Sequence, residues 1–157
     1  MLQREKLGEL SRLFAAKLFE SYPEWEPLAV HDEDQPNAFG IVWPSPVKER
    51  SILCTTIDEE INVSFGDWHG HYGPWLNQSD SEAVETALST VAAILNDEAV
   101  VEVSYLASGW AGSRLVHMGE YKDTSIVITV EEEAGDDLTL ETRIQSWSGR
   151  LDEVKKI

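Results

Sequence analysis

The 157-residue sequence predicts an α+β fold, a single mostly antiparallel sheet of about six to eight strands with two helices packed on one face. Two stretches, 2–22 and 79–96, space their apolar residues at helical intervals. Several β-branched runs alternate apolar with polar residues, and the connections between them are short enough for hairpins. The length suits one domain, 1–157, large enough to bury roughly two-thirds of its unfolded surface without disulfides.

Leu7, Leu10, Phe14 and Leu18 recur three and four residues apart, Leu13 and Ala15 widen their stripe, and Pro23 ends the helix. Glu24-Trp25-Glu26-Pro27 reads as a connector biased to extended backbone before each proline. A short strand over 28–31, an acidic turn from His31 to Asn37 and a strand over 38–43 follow, the last stopped by Pro44-Ser45-Pro46. The runs 51–57 and 60–65 form a hairpin across Asp58-Glu59. Ser79 with Glu82 three residues on makes a capping box, opening a helix with Val84, Leu88, Val91 and Leu95 on one stripe that ends near Asn96. Strands are expected over 99–107 and 114–118 around a turn at 109–112. Another hairpin, 124–132 with 138–147, crosses the acidic loop 133–137. In its second arm Leu138, Leu140, Thr142 and Ile144 share a face, with Glu141, Arg143 and Gln145 toward water. Residues 151–157 read as a short helical or frayed tail.

Twenty-nine acidic residues against twelve basic ones leave a net charge of −17. Phosphate polyanions and anionic membranes are repelled by such a surface, and a basic partner is attracted, so a protein partner is favoured over nucleic acid. No apolar run is long enough to span a bilayer, and the N-terminus lacks the core of a signal peptide. The single Cys54, among apolar and small neighbours, reads as a reduced, buried thiol, and a cytoplasmic location is expected.

The densest chemistry lies in Asp67-Trp68-His69-Gly70-His71-Tyr72-Gly73-Pro74-Trp75. A strand continuing through Gly66 would put Asp67, His69 and His71 on the face of Ile61, Val63 and Phe65, with Trp68 and Tyr72 opposite. A bulge at Gly66 would exchange the two sets. Asp67, His69 and His71 at two-residue spacing suit a shared metal ion and a metal-dependent enzyme. No third histidine stands in supporting spacing, however, and serine-elbow and phosphate-loop patterns are missing from the sequence. A non-catalytic binding site made of Asp67, Trp68, His69, His71, Tyr72 and Trp75, with no metal or cofactor, is the leading expectation. Aromatic anchors flanked by steering carboxylates are the usual material of protein interfaces. A self-associating protein without a small ligand is the third possibility.

The strand written EINVSFGDWHGHYG, followed by a helix and a sheet closing in Arg143-Ile144-Gln145-Ser146-Trp147-Ser148-Gly149, resembles the immunity proteins of bacterial polymorphic-toxin and contact-dependent inhibition systems. The resemblance covers mainly 51–75 and 138–150 and carries over no catalytic residues. It implies an inhibitor that binds a cognate, basic toxin domain in the cytoplasm.

Overall fold

Gly8 divides the expected N-terminal helix. In this computed structural model, which describes residues 1–121 and 141–156, a 3-10 turn over Arg4–Lys6 is followed by α1, Glu9–Ser21. Gly8 is the extended N-cap between them, and its amide donates to the Asn37 carbonyl at 2.9 Å. Leu2 and Leu7 are both buried, so the leading residues are anchored as a separate wrap instead of a first helical turn. After Tyr22 the connector with two prolines is a 3-10 helix, Pro23–Leu28, and not extended chain. It buries Trp25, whose ring stacks between Tyr22 at 4.6 Å and Trp43 at 5.4 Å.

The α+β class is as expected, but the described strands form two antiparallel sheets where the sequence suggested one. The chain divides into two compact units, 1–92 and 93–157. The first holds five strands in sequential order: β1 (Val30–His31), β2 (Phe39–Pro44), β3 (Ser51–Thr55), β4 (Ile61–Phe65) and β5 (Trp68–Tyr72). Its inner face, with Phe39, Ile41, Ile52, Cys54, Ile61, Val63 and Phe65, is buried. Phe14 and Phe19 of α1 lie against Phe39 at 6.0 and 5.9 Å between ring centres. The Ser11 and Thr56 hydroxyls meet at 2.7 Å inside this core, and Thr56 also accepts the Phe39 amide, so the polar atoms there are satisfied.

The capping box forms as expected. The Ser79 amide donates to Glu82 Oε2 at 2.7 Å and the Glu82 amide to Ser79 Oγ at 3.2 Å, opening α2, Asp80–Leu95, which buries Ala83, Val84, Ala87 and Val91. Its end is closed by Asp97 in the left-handed conformation, φ 55°, with the Glu98 amide returning to the Ala93 carbonyl.

The second unit orders its strands β7-β6-β8-β9, with β6 Ala99–Leu106, β7 Gly109–His117, β8 Glu141–Gln145 and β9 Glu153–Lys156. The β6–β7 turn falls at 107–108, and the Gly109–Gly112 segment expected to turn is strand, its register shifted at Ser104/Tyr105. A short helix α3, Met118–Tyr121, ends β7, and the expected helical or frayed tail is instead the strand β9, paired with β8 and outermost among the described strands of its sheet. The strand 124–132, the acidic loop 133–137 and Leu138 to Leu140 lie outside the described residues. Among those described, no helix is long and apolar enough to cross a membrane.

Candidate functional site

Gly66 and Asp67 form a two-residue hairpin turn, with Gly66 at φ 55°. Glycine at the first central position matches the right-handed twist of the flanking strands. The turn pairs Phe65 with Trp68, Val63 with Gly70 and Ile61 with Tyr72. The strand therefore does not run through Gly66. Trp68, Gly70 and Tyr72 join the inner face of Ile61, Val63 and Phe65, while His69 and His71 join Ser64 and Asn62 on the outer face.

This divides the six residues expected to meet a partner. Tyr72 is inside: it is 8 % exposed and its hydroxyl lies 2.8 Å from Thr90 Oγ1 of α2. Burial raises its phenol pKa, partly offset by that hydrogen bond. Trp68 is half-buried and lies over Gly70, where a Cβ would come within 2.8 Å of the indole. His69 and His71 are exposed, their rings edge to face at 5.1 Å, and Asp67 is exposed on the turn. Trp75, on the 3-10 turn Pro74–Leu76, is 84 % exposed, and its neighbour Leu76 is exposed as well.

Two carboxylates that the motif did not include complete the surface. Glu60, one residue before β4, holds His71 Nδ1 at 2.7 Å through Oε1, and Asp58 stands nearby. Together Asp58, Glu60, His71 and Trp75 line an open hollow of about 520 Å³. Asp58 and Glu59 both hold left-handed backbone, φ 55° and 60°, which for residues bearing a Cβ costs about 1–2 kcal/mol each. Gln35 clamps the segment, donating from Nε2 to Asp58 Oδ1 at 2.6 Å and accepting the Asp58 amide on Oε1 at 3.0 Å. The readable signal for Glu60 was Gly66-Asp67 between two β runs, a hairpin loop that fixes the register and so brings Glu60 beside the far end of β5.

Beyond this hollow the outer face of the first sheet is uncharged. Val30, Gly40, Val42, Pro44, Ser51, Leu53, Thr55, Asn62 and Ser64 are its half-buried or exposed members before the two histidines. None of these positions carries a carboxylate; Asp58 and Glu60 stand at the margin of the face, in the hollow.

The metal expectation meets a different arrangement. Among the described residues no three His, Cys, Asp or Glu side chains gather closely enough to hold a metal ion; His71 is engaged by Glu60 rather than grouped with Asp67. Cys54 is fully buried and desolvation pushes its thiol up to about 12, so it supplies no thiolate near neutral pH.

The second segment of sequence interest, Ser146 to Gly149, is a structural turn. The Ser146 amide and hydroxyl both donate to Asp152 Oδ1, at 2.7 and 2.9 Å, and the Ser148 amide and hydroxyl donate to Asp97. Burial raises the Asp97 pKa, but the Ser148 bonds and Arg150 outweigh it and hold the carboxyl below its usual range.

Comparisons with protein-family models, with curated proteins and with solved structures find no match to this chain.

Proposed function

We propose that this chain is a non-catalytic binding protein for a basic protein domain, of the immunity type that neutralises a cognate bacterial toxin. The observation that carries the reading is the far end of the β4–β5 hairpin. There an almost fully exposed Trp75 stands beside His71 and Glu60, and beside Asp58, whose left-handed backbone is clamped by Gln35. Exposed indoles are expensive to leave in water and are typical anchors of interfaces. Fixed carboxylates beside one suit a lysine or arginine, which is held by charge at the carboxylates and by the ring face at the indole. A net charge of −17 draws such a partner in over a distance. Substitution for phosphate groups at a basic active site asks for carboxylates and anchors, and needs no reactive group on the inhibitor.

The test pairs this chain with the basic domain encoded beside its own gene. Co-expression should restore growth of cells that the domain poisons, and the purified pair should form a one-to-one complex at low salt. Trp75→Ala and Glu60→Gln should each weaken the complex about thirtyfold, the scale of an interface hot spot. A domain that neither binds nor is neutralised by the wild-type chain would end this reading.

A further inference from the structure

The hairpin that carries the hollow is also the margin of its sheet. β5 pairs with β4 on one side, and no strand of the described residues pairs with the other. A two-residue loop makes Phe65 and Trp68 exchange both backbone hydrogen bonds, so Val63 with Gly70 and Ile61 with Tyr72 do likewise. The alternate residues, His69 and His71, then turn their N–H and C=O groups away from β4, and neither has another backbone partner among the described residues. Proteins usually blunt such an edge with lysine, proline, a bulge or brevity. The opposite margin of this sheet, β1, is two residues long; in the second unit β9 carries Lys155 and Lys156, and β7 has a register shift. β5, written Trp-His-Gly-His-Tyr, has none of these protections.

We infer that the free edge of β5 is a docking strand: a basic partner adds an extended segment alongside His69–His71 and carries a lysine or arginine side chain onto Trp75 beside Glu60 and Asp58. This deepens the proposed function and rests on it, since the partner is taken to be basic. The occupant is set by charge. A second copy would bring another −17 and the same carboxylates to the junction, whereas a cationic strand meets Glu60, Asp58 and the acidic chain favourably. Backbone hydrogen bonds from His69 and His71 would hold the strand, and the Trp75 hollow would select the cation.

The probe is a capped eight-residue peptide of alternating lysine and threonine, with glutamate replacing lysine in the control. Binding of the lysine peptide should slow hydrogen exchange of the His69 and His71 amides in the wild-type protein at least tenfold, and the glutamate peptide should not bind. His69→Pro and, separately, His71→Pro each remove an outward amide without removing a β4–β5 hydrogen bond; each should weaken peptide binding at least tenfold, while His69→Ala changes it less than threefold. Unchanged exchange at both amides on saturation, or proline variants that keep the β4–β5 register by NMR and bind like His69→Ala, would overturn the docking strand. So would concentration-dependent protection of the two amides without peptide, which would make a second copy the occupant. With the toxin domain as ligand the two ideas separate. A complex insensitive to both prolines leaves the proposed function standing without the edge, and peptide addition without any domain complex leaves the edge standing alone.

Discussion

Gly66 decides which side chains of the hairpin the protein shows to water. Its positive φ closes a two-residue turn, and the period-two alternation of a strand then sends Trp68 and Tyr72 inward and both histidines outward. Tyr72 is therefore a stability residue. Tyr72→Phe removes its hydrogen bond to Thr90, whose hydroxyl still donates to the Thr86 carbonyl at 3.0 Å. The expected loss is about 1 kcal/mol in urea unfolding, with the affinity for the basic domain unchanged. A loss of affinity in that variant without loss of stability would place Tyr72 at the interface after all. The composition of the site was legible in the sequence, because aromatic rings and imidazoles concentrated in nine residues are visible without a fold. Its orientation turns on whether Gly66-Asp67 closes a hairpin or continues the strand, a choice that apolar alternation alone does not make. In the sequence Asp58 is part of a hairpin loop and Glu60 the first residue of the strand after it; their place beside His71 and Trp75 follows from register and not from spacing.

Elements stopped by local chemistry were the readable ones. Ser79 and Glu82 announced the start of α2, and both reciprocal hydrogen bonds are present. They also make the helix sensitive to acid. The Ser79 amide, and then its hydroxyl, hold the Glu82 carboxyl below its ordinary value of 4.5. A carboxyl depressed in the folded state binds its proton more weakly there than in the unfolded chain. Its contribution is thus present above pH 4.5 and lost as pH falls through the depressed value. Glu82→Gln should flatten the fall in melting temperature below about pH 4.5 and leave the slope between pH 6 and 8 as it is. A slope identical to wild type throughout the acid range would remove Glu82 from that role. β9 had no comparable signal: Glu-Val-Lys-Lys is exposed at every position, so no apolar alternation marks it, and pairing with β8 alone makes it a strand. The helix expected over 2–22 lost its first turn because burial of Leu2 and Leu7 and the Gly8 to Asn37 hydrogen bond are long-range terms that periodicity does not contain.

At the scale of the molecule, alternation established that strands existed and were one-sided, and so the α+β class, but it is indifferent to which strands share a sheet. The break between five strands and four falls at α2, where the sequence has no proline, glycine cluster or change of composition to mark it. Net charge was legible in full, and it governs how a partner arrives more than how it is held. If a cationic strand docks on β5, long-range attraction sets its association rate, while hydrogen bonds at His69 and His71 and the contact with Trp75 set its dissociation rate. Salt separates these contributions, because the screening length falls from roughly 20 Å near 20 mM to about 4 Å at 500 mM. With a fluorescein-labelled lysine–threonine peptide followed by stopped-flow anisotropy, the association rate should fall at least tenfold over that range and the dissociation rate change less than threefold. A dissociation rate that instead carries most of the salt effect would mean that the peptide is held by the acidic surface at large, with no specific seat along the strand.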